Sequence, residues 1–333
     1  MVFLIQKTLI FAIPLLIVAL AGMFAERSGI INIALDGIMI FGAFIGAVFA
    51  LNIRKIPWFV DHNQLTFLLA MLVAMLAGAV FSLLLSFSAI KLKADQTIGG
   101  TALNLLAPAI SLFLIKVFTG QDMLEMQTVR NSAGEVKDFG FVLLNDNLGP
   151  IGRVLFDKAY ISTFIAIALF IILSIFMYKT KTGLRLRACG EHPQAADSVG
   201  INVEKMRYLG TTISGALGGL GGYIYIATVA NGTATGAVAG MGFLAIAIMI
   251  FGNWNPIGIA FGSLLFGFLK CLGVVYSNLD INGDGVYALT KLNLPMYFYN
   301  MVPYVVVLIV LAFSAGKSRA PKAEGIPYDK GQR

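Results

Sequence analysis

A succession of apolar stretches, most of them as long as a bilayer core is thick, leaves this chain little choice of fold. They lie at about 4–24, 30–51, 65–90, 98–118, 161–178, 208–230, 238–252, 257–277 and 299–314 of the 333 residues. About 20 apolar residues in a helix cover roughly the 30 Å of a hydrocarbon core. Inside that core every backbone polar group must be satisfied by the protein itself, so a spanning chain is either helical or a closed barrel. A barrel would show roughly ten-residue segments of alternating polarity, and none is present. Charged residues make up 12% of the chain, about half the share of an average soluble domain. The predicted fold is an all-α polytopic membrane protein with about nine transmembrane helices, some of them interrupted. Lys7, the apolar run after it and Ala19-Leu20-Ala21 imitate a signal peptide, but the spans that follow favour a retained first helix.

Charge sets the orientation. The polar connections 91–97, 179–207 and 316–333 carry two, six and five basic residues, and cytoplasmic loops are enriched in Lys and Arg. Placing these three inside puts 52–64, 119–160 and 278–298 outside, the N-terminus outside and the C-terminus inside. Arg54 and Lys55 oppose the assignment locally, but orientation follows the summed bias. The net charge of +7 therefore reflects membrane topology rather than nucleic-acid binding. Residues 1–315 are read as one transmembrane domain, and 316–333, polar with Pro321 and Pro327, as a mobile cytoplasmic tail. Segment 119–160, with turn signals at 145–147 and 149–150, reads equally as a solvated connector or an outer docking cap.

Two kinds of interruption stand out. Glycines crowd 210–242 and recur in Gly252-Asn253-Trp254-Asn255-Pro256, where a helix can break if its freed backbone groups line protein or water. Ser28–Gly37 has the same Gly- and Asn-containing character, a weak hint of two related halves. The other interruption is the polar island 179–207. At its centre Pro193 suits a first helical position and Gly200 an exit, so a helix is predicted over Pro193–Val199. About two turns cannot stay helical alone in water. Such a piece packs on its own domain or docks on a partner. Ala195 and Ala196 point about 100° apart, so only one can centre a docking face.

Charged and amide side chains at membrane depth are costly and hence informative. Asp36 lies in the second span with Asn32 one turn earlier; Asn104 lies in the fourth span and Lys270 in the eighth. With Asn253 and Asn255 they could line a path for a hydrophilic solute. Equally, they could join helices, or snorkel to headgroups, as could Glu26 and Arg27 between the first two spans. Enzymatic readings find little to stand on. The two histidines, His62 and His192, sit in loops, and neither a His-Glu-x-x-His pattern nor a Walker lysine loop occurs. Cys189 and Cys271 occupy different environments, so no metal site or disulfide framework is expected. No filter-like repeat suggests a channel.

Four stretches resemble one family: SGIINIALDGIMIFGAF (28–44), QTIGGTALNLLA (96–107), GLRLRACGEHPQAADSVGINV (183–203) and FGNWNPIGIAFGSLLFG (251–267). They are similar to permease subunits of ribose-type bacterial ABC importers, in the branched-chain amino acid/ribose superfamily, nearest its nucleoside and simple-sugar branch. The resemblance implies a permease of the bacterial cytoplasmic membrane that is not itself an enzyme and binds no cofactor. ATP and Mg would belong to a separate cytoplasmic ATPase. A second permease subunit, homologous or identical, and an extracytoplasmic substrate-binding lipoprotein would complete the importer. Carried over by position, Gly190, Glu191, Pro193, Ala195, Ala196 and Gly200 would form the cytoplasmic coupling helix that enters the ATPase. Asp36 stands where the branch commonly has Glu, and His192 where Asn is expected. The alternatives are a secondary transporter protonating Asp36 and an intramembrane enzyme using Asp36 or Glu26.

Overall fold

The computed structural model describes residues 2–126, 128–130, 136–138, 142–143, 159–275, 295–314 and 319–331. Twelve helices are described: α1 Val2–Arg27, α2 Leu35–Ile53, α3 Pro57–Asp61, α4 Asn63–Ile90, α5 Gln96–Thr119, α6 Ile161–Lys179, α7 Lys181–Glu191, α8 Pro193–Ser198, α9 Val203–Thr228, α10 Met241–Phe251, α11 Pro256–Val275 and α12 Met296–Ser314. Six short strands pair antiparallel: β1 Leu124–Glu125 with β6 Thr233–Ala234, β2 Thr128–Arg130 with β3 Val136–Asp138, and β4 Val142–Leu143 with β5 Ala159–Tyr160. Most of segment 119–160, and with it the cap reading, lies outside the described residues, as does most of 278–298.

Each apolar stretch holds a helix. Six of the described helices, α1, α2, α4, α5, α6 and α11, are long and apolar enough to cross a membrane, which makes the chain a multi-pass helical membrane protein. The full count of nine is not reached on length alone. With 11 residues, α10 spans only about 16 Å, too short to cross unaided.

The hub is α1, 83% of whose apolar window is buried, whereas the window of α6 is 17% buried and faces outward. Around α1 pack α9, α11, α10 and α6, and α9 in turn lies against α4 and α2. Without a hydrophobic driving force in lipid, such contacts depend on close backbone approach. Gly219 supplies it: a Cβ there would meet Gly78 Cα of α4 at 2.9 Å and the carbonyl of Ala74, while Gly42 of α2 abuts Gly219 itself. The glycine crowding in 210–242 is thus partly a packing seam and partly a break. The seam lies within α9 and the break within 229–240, where Asn231 and Ala239 take left-handed backbone beside Gly232, Gly236 and Gly240.

Candidate functional site

Helix breaks organise the polar groups. The first is Ser28–Ala34, which is not helical, so Asn32 and Asp36 do not share a helical face as the sequence suggests. Unwinding leaves backbone groups that must find partners inside the protein. Ile31 N donates to Gln96 Oε1 (2.7 Å), Gly37 N donates to Asn104 Oδ1 (2.7 Å), and Asn104 Nδ2 donates to Ile33 O (2.8 Å). Asn32, 1% exposed, donates from Nδ2 to Ser214 Oγ at 2.8 Å. Asn32 and Asn104, two of the candidate path residues, are thus committed to holding the break together.

Asp36 serves the second break. Its Oδ1 accepts from Gly242 N at 2.8 Å, within the first turn of α10, where the helix dipole and open N–H groups favour an acceptor. The acidic group therefore caps a short helix. Close by, Lys270 Nζ donates to Tyr304 Oη (2.9 Å), and Tyr304 Oη donates to Ala239 O (3.4 Å). Tyr225 is within electrostatic reach of both Asp36 and Tyr304. Asp36 and Lys270 thus both reach the start of α10, one through Gly242 N and the other through Tyr304; sequence reasoning passes over Tyr225 and Tyr304, for which a hydroxyl in an apolar span is the available signal.

At the other end of α10 lies the third break. Asn253 and Trp254 both adopt left-handed backbone, with φ of 56° and 53°. That conformation is uncommon and costs about 1–3 kcal/mol per non-glycine residue. Trp254 Nε1 donates to Glu26 Oε2 (2.5 Å), and Arg27 Nη2 donates to Trp254 O (3.1 Å). Asn253 Oδ1 accepts from Arg319 N (2.7 Å) and Asn255 Oδ1 from Ile257 N (3.0 Å). A cavity of about 470 Å³ here is lined by Arg27, Tyr178, Asn253, Asn255 and Arg319 among others. Asn253 and Asn255 are separated from Asp36 and Lys270 by the length of α10, so the six candidates form no single lining. Beside the C-terminal half of α2, a second cleft of about 500 Å³ between α2 and α5 is mostly apolar, with Asn52, Lys55 and Thr119 on its wall.

The polar island folds as a platform. α7 is capped by Thr180, whose Oγ1 accepts from Gly183 N at 3.1 Å. α8 runs Pro193–Ser198, one residue shorter than predicted, with Pro193 in its first turn and Gly200 following at φ 83°. Ala196 is 4% exposed and packs with Cys189 and Val203, while Ala195 is exposed. Burial pushes the Cys189 thiol up to about 11, so it stays neutral. Glu191 pairs with Arg27 (3.7 Å), and a Cβ on Gly190 would meet Arg27 O, which fixes the platform to the end of α1.

The expected free tail is docked instead. Pro321 and Ala323 are buried, Ala323 N donates to Gly190 O (2.9 Å), and Arg207 Nη1 donates to Ile326 O (3.0 Å). Main-chain bonding drives this, and composition does not reveal it.

The family described as branched-chain amino acid transport system, permease component, matches residues 4–311. The chain belongs to that permease family. It is 38% identical over 334 residues to the guanosine ABC transporter permease protein NupQ of Bacillus subtilis, covering 99% of this chain and 97% of the relative. To the nucleoside ABC transporter permease protein NupC of Lactococcus lactis it is 39% identical, covering 98% and 96%. NupB of the same strain, also a nucleoside ABC transporter permease protein, is 26% identical over 96% of this chain and 84% of its own length. No solved structure matches the chain. The permease is thus a transport subunit and not an enzyme.

Proposed function

We propose that this permease forms the translocation pathway of an ATP-driven ABC importer for nucleosides or related ribosides. Near-full-length similarity to two nucleoside permeases carries the reading. The arrangement of α7 and α8 supports it: a short helix with a small exposed residue, Ala195, on a platform bolted to α1. The ATPase, with its ATP and Mg, would receive α8; Gly190 and Glu191 tie it to Arg27, and Pro193, Ala196 and Gly200 shape it. In this reading ATP binding draws two coupling helices together and rocks the bundle between outward- and inward-facing states. Asp36 and Lys270, with Tyr225 and Tyr304, would meet the solute at the start of α10, and the α2–α5 cleft would be its outer vestibule. Asn32, Asn104, Asn253 and Asn255 hold the breaks that let the cluster form.

The greater likeness to NupC than to NupB, two permeases of one strain, supports a second permease subunit of the other kind as partner. An extracytoplasmic binding lipoprotein would deliver substrate. Platform and tail would be cytoplasmic and the N-terminus outside, in a bacterial cytoplasmic membrane. Arg54, the main contrary charge, is 6% exposed and donates to Met126 O (3.0 Å), so a structural contact engages it.

The test is nucleoside competition. Cells with the chain, its partner permease, an ATPase and a binding lipoprotein should take up labelled guanosine, and unlabelled nucleosides should compete where ribose and leucine do not. Uptake blocked by leucine alone would contradict the substrate reading.

A further inference from the structure

Residues 319–331 touch the third break, the platform, the first break, α9 and the α4–α5 loop. Arg319 N is held by Asn253 Oδ1 at the third break (2.7 Å), Ala323 N by Gly190 O at the end of α7 (2.9 Å), and Gly325 N by Gly29 O in the first break (3.2 Å). Arg207, 1% exposed at the start of α9, gives its Nη1 to Ile326 O (3.0 Å). Tyr328 packs beside the Cys189, Ala196 and Val203 cluster under α8, and Asp329 pairs with Lys93 between α4 and α5 (2.9 Å). Glu324 faces Glu26 and Arg27. A solvated tail would meet one neighbour or none. This one joins two helix breaks, the platform, α9 and the α4–α5 loop within a single short segment.

We propose that residues 319–331 are a transmission strap, which keeps α8 rigidly joined to the breaks at Ser28–Ala34 and Gly252–Asn255. The physical need is plain. α8 has six residues and cannot carry a displacement into the bundle by itself. His192 joins it to α7, which is tied to the end of α1, and residues 199–202 join it to α9. With the strap in place, a push on α8 reaches Gly29 through the main-chain bond from Gly325 and Asn253 through its side-chain bond to Arg319 N, and Arg207 locks the strap to α9. Unlike a free tail, the strap is a positioning element for the transport step. This inference rests on the proposed function, because it takes α8 to be the part an ATPase moves.

The test uses the whole importer in proteoliposomes and reads nucleoside transported per ATP hydrolysed, with ATPase co-purification as a second readout. A chain ended after Ser318 should keep its ATPase and still hydrolyse ATP, while transport per ATP falls at least tenfold. Lys93→Glu and Asp329→Lys should each lower it about two- to fivefold, as expected for an exposed pair. The double variant should recover most of the loss, which a merely structural role for either residue would not produce. Undiminished transport per ATP in the truncated chain would overturn the strap, as would a double variant no better than the singles. Failure of the intact chain to retain any ATPase would instead overturn the proposed function on which the strap rests.

Discussion

For Asp36, a structural role and the proposed transport role can be separated. Its carboxylate caps α10 through Gly242 N, a task an amide oxygen also performs. Asp36→Asn should therefore leave assembly and thermal stability near those of the parent while lowering uptake at least tenfold, if its charge meets the solute. Asp36→Leu should lose both, because an orphaned buried N–H costs about 1–3 kcal/mol. Full uptake in the Asn variant would confine Asp36 to capping. At the platform, the exposure of Ala195 and burial of Ala196 predict different failures. Ala195→Trp should weaken ATPase co-purification by one to two decades in affinity, whereas Ala196→Trp should strain the platform's own packing by about 1–3 kcal/mol. Equal co-purification of the Ala195→Trp and parent chains would remove α8 as the docking site. Glu324 gives a pH signature. Burial pushes its carboxyl up to about 7 against the opposing effects of a hydrogen bond from Glu26 and the charge of Arg27. A free tail would ionise at about 4.3, so docking takes up a proton in between. Docking should be strongest below about pH 4.3, weaken as pH rises toward about 7, and level off above. Hydrogen exchange at 322–326, corrected for intrinsic rates, should follow that profile in the parent and flatten in Glu324→Gln; identical profiles would contradict it.

Among the elements, helices are legible in the sequence and breaks only half so. Apolar runs of bilayer length cannot avoid forming helices, so their positions can be read within several residues. Glycine and proline mark the breaks as well. Their partners cannot be read, because each bond closes over a long sequence distance: Gly37 with Asn104, Asp36 with Gly242, Glu26 with Trp254. Of the amide side chains that suggest a solute path, Asn104 bonds the main chain at the first break, through Ile33 O and Gly37 N. Asn104→Leu tests that role. It orphans Gly37 N and Ile33 O, at about 1–3 kcal/mol each, and should lower the unfolding temperature of purified protein by several degrees. An unchanged unfolding temperature would return Asn104 to the list of free polar groups. The helix at the centre of the polar island is legible from Pro193 and Gly200 alone, since both residues act through local backbone geometry. The docked tail is invisible for the opposite reason, because its bonds, main-chain ones such as Ala323 N to Gly190 O and side-chain ones such as Asp329 to Lys93, join residues far apart in sequence.

For the whole molecule, orientation and energy source are the decisive properties. With Cys189 and Cys271 replaced, a cysteine at Gln121 should react with an impermeant thiol reagent in intact cells and one at Ser198 should not, both positions being exposed in the structure. The reverse pattern would invert the topology. The coupling of transport to a cytoplasmic ATPase is more central still, and it separates this permease from a carrier that protonates Asp36. The direct measurement is guanosine uptake into proteoliposomes holding the complete importer, with either ATP and Mg or a proton gradient as the only energy supplied. The account predicts accumulation with ATP and Mg, none with the gradient alone, and none when this chain is left out. Accumulation driven by the gradient in the absence of ATP would contradict it.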